Sequence, residues 1–197
     1  VDLAGLPKDR FYLYRSHWNK NEHTIHLLPH WTWTGREGQV TPVYCYTDYP
    51  SAELFVNGKS QGRITKNKDS RLDRYRLRWN NVKYEKGEIK VVVYDEQGNK
   101  AGEKTVKTAG KPAKLQLTAD RSTIAADGSD LAFITVSLTD KNGTLCPDAD
   151  HSLEFKVTGA ATFNSVCNGD ATSLEVFTEP TMKLFHGQLV VVVQASA

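Results

Sequence analysis

Beyond Arg36 the chain alternates apolar and polar positions with a period of two, in short runs bounded by turn residues. The first set comprises TPVYCYTD (41–48), SAELFVNGKSQGRIT (51–65), RYRLRW (74–79), EIKVVVYD (88–95) and KAGEKTVKTA (100–109). Successive side chains of a strand point to opposite faces, so this pattern predicts half-buried strands. Asn57-Gly58 sits inside the second run, where a two-residue type I′ hairpin needs two residues that tolerate positive φ. GKPAK (110–114) reads as a linker, since Gly and Pro punctuate between strand sets. The alternation then restarts in KLQLTAD (114–120), LAFITVSLTD (131–140), SLEFKVTG (152–159) and GQLVVVVQAS (187–196), with KNGT (141–144) as a turn. Many short strands with closely spaced turns predict an all-β chain of two tandem immunoglobulin-like β-sandwich domains. An antiparallel sandwich normally returns after a strand such as Leu189–Val193, so that strand is expected to carry an unpaired edge.

Ahead of the strands the period changes. In GLPKDRFYLYRSHWNKN, Phe11, Tyr14, Arg15 and Trp18 recur at helical spacing, with Tyr12 and Leu13 widening the apolar face. Pro7 suits a first turn, and Asp9 there favours the helix dipole. The reading is a short N-terminal α-helix of about three turns. No helical partner lies near it in sequence, so its stripe is expected to seek one.

Charge and length narrow the classes. The 197 residues hold 25 Lys and Arg against 23 Asp and Glu, a net +2 without a clustered basic surface, which argues against nucleic-acid binding. The basic run Arg63–Arg78 is interrupted by aspartates and reads as solvated faces. No apolar run approaches the roughly 18 residues of a membrane-spanning helix. The chain opens VDLAGLPKDR, without a signal-peptide pattern or an initiating Met, and is expected to be a processed or excised piece. Cys45, Cys146 and Cys167 form no CxxC pair; a Cys146–Cys167 disulfide is conceivable in an oxidising compartment, but free thiols are favoured.

The segment HLLPHWTWTGREG (26–38) concentrates candidate chemistry. His17, His23, His26 and His30 have spacings of six, three and four, without the one-face helical arrangement or second cluster that zinc needs, so no metal and no cofactor are expected. Glu22 and Glu37 are the tempting carboxylates, yet glycoside hydrolysis needs two that converge, and both lie in polar loops. No GxSxG elbow supplies a nucleophile. Trp31 and Trp33 alternate in a stretch read as extended, which puts both rings on one face, able to stack on a sugar or on protein, or to anchor the first sandwich core. NGDATSLE (168–175) reads as a turn held by side-chain to backbone bonds rather than a calcium loop.

Taken together, DLAGLPKDRFYLYRSHW, HLLPHWTWTGREG, TPVYCYTDYPSAELFVNGKSQG and CNGDATSLEVF resemble the C-terminal part of bacterial β-galactosidases of glycoside hydrolase family 2. The resemblance covers nearly the whole chain and is closest to enzymes of Bacteroides-type bacteria. It implies three parts: residues 1–30 as the last helix of a catalytic (β/α)8 barrel with its connector, 31–110 as a first sandwich, and 111–197 as a second. It implies no catalytic residue here, because the family's two glutamates lie on barrel strands upstream. The expected function is that of non-catalytic accessory domains of a β-galactosidase-like enzyme, with export to the periplasm or cell surface. The expected partner is the barrel of the same polypeptide. Trp31, Trp33 and Arg36 are expected at the barrel or a β-galactoside glycan. Phe11, Tyr14 and Trp18 are expected to form a helix interface that in isolation packs on the first sandwich or on another copy. Where the family has Gly-Asn-Gly-Asp, this chain has Cys167 in the first position. The other class of reading is a freestanding immunoglobulin-like pair that binds carbohydrate or a cell-surface partner.

Overall fold

The computed structural model describes residues 1–196 and shows two compact units: Pro7–Thr108, and Val1–Leu6 together with the chain from Ala109 onward. Residues 1–30, grouped above as one connector, are therefore divided between them.

The unit Pro7–Thr108 opens with α1 (Asp9–Trp18) and continues through β1 (Ile25–Leu28), β2 (Val43–Thr47), β3 (Ser51–Val56), β4 (Lys59–Thr65), β5 (Leu77–Trp79), β6 (Glu88–Tyr94) and β7 (Lys100–Lys107). Two antiparallel sheets form, one in the order β1-β2-β5 and one in the order β4-β3-β6-β7. Alternation decides what lies inside. Ala52, Leu54 and Val56 of β3 and Ile89, Val91 and Val93 of β6 bury one face, and Val43 and Cys45 of β2 meet them in one core with Trp31, Trp79 and Tyr84. The β3–β4 hairpin turns at Asn57 and Gly58, with φ of 47° and 79°, as the dipeptide predicts. Only Leu77–Trp79 of the RYRLRW run is strand; Arg74 and Tyr75 lie in a turn that bonds back to Ser70 and Leu72.

Helix α1 lies against β1 and β2, with Tyr12 and Leu13 half-buried and Ser16 buried. Tyr12 stacks on His26 with ring centroids 3.9 Å apart, and His26 Nε2 meets Asp9 Oδ1 at 2.7 Å. Arg15, read as part of the apolar stripe, instead pairs with Glu22. Phe11, Tyr14 and Trp18, expected to pack on the first sandwich or on another copy, keep a large part of their surface open. They are 40%, 47% and 73% exposed, with Phe11 edge-on to Tyr12 and with Tyr14 and Trp18 stacked on each other.

The second unit contains β8 (Pro112–Ala119), β9 (Leu131–Asp140), β10 (Ser152–Glu154), β11 (Ala161–Cys167), β12 (Thr181–Lys183) and β13 (Gln188–Ala195). A four-stranded sheet in the order β11-β13-β9-β8 faces a two-stranded sheet, β10-β12. The unpaired edge expected on the last strand is not there: β13 is central, bonded to β11 on one side and β9 on the other. The linker reading also needs correction, because Pro112–Lys114 already belong to β8. Proline is tolerated there as the first residue of an edge strand. Val136, Leu189, Val191 and Val166 form a second core with Met182 and Leu184. Asp140, at the end of β9, accepts the backbone N–H groups of Gly110, Asn142 and Thr144, which closes the KNGT turn.

Candidate functional site

The 26–38 segment does not converge on one point. After β1 the chain leaves the sheet and runs through bends and turns, so the extended reading that put both indoles on one face fails. Trp31 turns inward and is 0% exposed. Its Nε1 donates to the Glu85 carbonyl at 2.9 Å, its ring meets Tyr84 edge-on at 5.1 Å, and its own carbonyl accepts the Thr108 hydroxyl. A fully enclosed indole has no face for a sugar or a barrel, so Trp31 is a core anchor.

Trp33 takes the other course. A turn closed by Arg36 N–H donating to the Trp33 carbonyl leaves its ring half-buried, between His30, stacked at 4.2 Å, and the Arg36 guanidinium, 5.0 Å from the ring centroid. Gly35 and Gly38, both near φ +80°, allow the reversal. Trp33 Nε1 and Arg36 Nε are shielded from solvent and have no acceptor among the described residues. Buried donors ordinarily find a partner, so these two are the segment's unsatisfied groups.

The other candidates resolve into structural pairs. His26 holds α1, His23 bonds Asp48, and His17 meets the Tyr75 carbonyl at 3.1 Å. Among the described residues no group of three His, Cys, Asp or Glu side chains is placed to hold a metal. Glu22 is engaged by Arg15, and Glu37 lies 3.2 Å from Lys86 Nζ. The Glu37 backbone amide and then Lys86 hold its carboxyl below the usual carboxylate range. A general acid for glycoside cleavage needs the opposite shift. Glu37 is therefore not tuned as an acid, and each carboxylate is already paired with a cation.

All three cysteines are free thiols. Burial pushes Cys45 up to about 12 and raises Cys146 and Cys167. Cys167 lies within β11 and is not among the positive-φ residues, so it fits where the resembling family carries Gly. In the loop that follows, the buried Asn168 donates to the Lys183 carbonyl at 2.9 Å and accepts Asp170 N–H, while Glu175 accepts Lys183 N–H. The side-chain to backbone reading of NGDATSLE describes this loop, which lines a polar cavity of about 400 Å³ with Asp150 and Phe185.

With this geometry in place, the comparisons with known proteins are informative. Residues 115–197 match the family model described as glycoside hydrolase family 2 C-terminal domain 5, and residues 38–102 match a domain of unknown function, DUF4982. A β-galactosidase of Bacteroides ovatus is 47% identical over 98% of the chain, which spans 22% of that protein. A β-glucuronidase of Formosa agariphila is 32% identical over 82% of the chain and 16% of its own length. The crystal structure of a β-glycosidase from Bacteroides vulgatus superposes over the whole chain with a TM-score of 0.90 at 32% identity, and the chain covers 24% of it. The chain thus spans less than a quarter of these relatives. It belongs to the all-β C-terminal region of glycoside hydrolase family 2.

Proposed function

We propose that this chain is the non-catalytic accessory region of a β-galactosidase-like exo-glycosidase, and that it braces a (β/α)8 barrel of the same polypeptide. The barrel would carry the glutamate pair and perform retaining hydrolysis, which needs carboxyl groups about 5–5.5 Å apart. The observation that carries the reading is the exposed row of Phe11, Tyr14 and Trp18 on a helix that lies against its sheet. Partly exposed aromatic rings grouped on one helix mark an association surface. Trp33 and Arg36, with their unsatisfied donors, add a second contact for the barrel mouth or for a β-galactoside bound in it. Trp31, enclosed in the core, offers no such contact.

The test is a charge on the helix face. Tyr14→Glu with Trp18→Glu should leave the isolated chain within about 0.5 kcal/mol of its original stability, as surface changes usually do. In the full enzyme the same pair buries unpaired carboxylates at the barrel contact and should lower its melting temperature and kcat together. A full enzyme that tolerates both changes with unaltered melting and turnover would sink the docking reading. Should the isolated chain dimerise through the same stripe, the pair of charges should return it to a monomer in sedimentation.

A further inference from the structure

The basic run between β4 and β5, expected to be no more than solvated faces, folds into a compact positive loop. Residues 66–78 hold six Lys and Arg against two Asp, a net of +4, while the whole chain carries +2, so the remainder is −2. The loop closes on itself: Asn67 N–H bonds the Asp73 carbonyl, Ser70 N–H the Asn67 carbonyl and Tyr75 N–H the Leu72 carbonyl. The Arg74 guanidinium adds two bonds from Nε and Nη2 to the Lys68 carbonyl. The aspartates that interrupt the run do not cancel it. Arg78 bonds both carboxylate oxygens of Asp73. Lys68, Arg71, Arg74 and Arg76 form no ion pair among the described residues, and Asp69 is the one loop carboxylate outside such a pair. Like charges gathered in one loop repel one another and cost stability unless a counter-charge meets them.

A polar cavity of about 200 Å³ opens against this loop, its wall including Asn67, Asp73, Arg76, Arg78 and Asn80. Arg76 Nε is shielded from solvent and has no acceptor among the described residues; the guanidinium carbon lies 5.8 Å from the Tyr46 ring. A shielded N–H ordinarily finds an acceptor. Asp73 is already engaged by Arg78, so the acceptor that suits Arg76 has to come from outside the chain. A carboxylate or sulfate presents two oxygens to the two parallel N–H groups of a guanidinium fork. The side-chain amides of Asn67 and Asn80 on the same wall are further donors. The cavity is several times the ~30 Å³ share of one water, so it admits such a group and part of what carries it.

The carrier that fits is a sugar polymer. The chain belongs to a glycoside hydrolase family, and Lys68, Arg71 and Arg74, all exposed, extend the positive charge beyond the cavity. Nucleic-acid strands are held by stacking bases on open aromatic faces. Tyr75, the one aromatic ring of the loop, is instead met by His17 at a ring separation of 5.0 Å. We propose that this loop and its cavity bind an acidic polysaccharide, with Arg76 taking one carboxylate or sulfate group and Lys68, Arg71 and Arg74 meeting neighbouring groups of the same polymer. The site lies wholly within the unit Pro7–Thr108, and the proposal stands whether or not α1 docks on a barrel.

Titration calorimetry of the 197-residue chain at low salt tests it with five probes: polygalacturonate, dextran sulfate, neutral dextran, polyphosphate and duplex DNA. One or both acidic polysaccharides should bind, neutral dextran should not, and the binding should weaken steeply as salt is added. A preference for polygalacturonate assigns the cavity to a carboxylate, and a preference for dextran sulfate assigns it to a sulfate. Arg76→Gln should weaken the binding by about tenfold or more, as loss of a hydrogen-bonded charge does. Lys68→Gln with Arg71→Gln, two exposed side chains without partners in the chain, should weaken it by about fivefold and leave the melting temperature unchanged. That pair keeps the test decisive should Arg76→Gln unfold the unit. Lys104→Gln with Lys111→Gln removes the same charge elsewhere and should change the affinity by less than about twofold. Failure of both acidic polysaccharides to bind, or an equal loss in the Lys104 and Lys111 control, would overturn the proposal. So would polyphosphate or duplex DNA that binds as tightly as either polysaccharide, because the loop would then be a surface for any polyanion.

Discussion

Replacing Trp31 separates a core role from a binding role more sharply than any other substitution. Trp31→Ala removes a side chain with no exposed surface and leaves the Glu85 carbonyl without its indole donor. A buried Trp→Ala change costs about 3–5 kcal/mol through lost burial and an unfilled cavity. An orphaned buried carbonyl adds about 1 kcal/mol or more. The sum, about 4–6 kcal/mol, is comparable with the whole stability of a domain of this size, about 5–15 kcal/mol. Trp33→Ala removes a half-buried ring that donates no hydrogen bond among the described residues, and should cost about 1–2 kcal/mol. Tryptophan fluorescence is compromised by the mutations themselves, so the better assay is amide exchange at Val91 and Val93, central in β6 and in the same core. At about 1.4 kcal/mol per tenfold, Trp31→Ala should accelerate exchange there by about a thousandfold or more, and Trp33→Ala by about thirtyfold at most. If Trp31→Ala were the milder of the two, the placement of Trp31 as the anchor of this core would be wrong.

Three further outcomes follow from local geometry. Gly187 has φ of +76°, and a Cβ added there would meet the Cys146 carbonyl oxygen at 2.3 Å, so Gly187→Ala should destabilise the second unit by about 2 kcal/mol or more in a thermal melt and leave the first unchanged. Asn57→Ala puts a poor residue in a left-handed turn position and removes bonds to the Lys86 carbonyl and Glu88 N–H, so it should cost about 1–2 kcal/mol in urea unfolding. At about pH 8 the Cys45 thiol, held up to about 12, is ionised in roughly one molecule in ten thousand. It should therefore react with a thiol reagent no faster than its unit unfolds, whereas rapid labelling of native Cys45 would refute its burial.

The parts legible in the sequence were those set by local rules. Alternation marked β3, β6, β9 and β13, and Asn57-Gly58 marked its hairpin, because side-chain parity and positive φ are properties of a few adjacent residues. Strand β11 escaped notice because a register shift between Phe163 and Ser165 breaks its alternation. Strands β1 and β12, four and three residues long, are shorter than any periodic signal. The candidate site was only half legible. Residue types singled out the 26–38 segment, but the opposite fates of Trp31 and Trp33 depend on a turn at Gly35 and on a carbonyl contributed by Glu85, far along the chain. The central place of β13 depended on long-range pairing in the same way: its strand was plain, its neighbours were not.

The measurement that bears most directly on the central claim is turnover of a panel of aryl β-glycosides, galactoside first, by the purified 197-residue chain at high concentration. Glu22 is tied to Arg15 and Glu37 to Lys86, so the proposed accessory role predicts no release of aglycone above buffer, with the catalytic pair elsewhere in the polypeptide. Turnover that survives repurification and disappears in Glu22→Gln or Glu37→Gln would contradict the account, since it would place the hydrolytic chemistry within this chain.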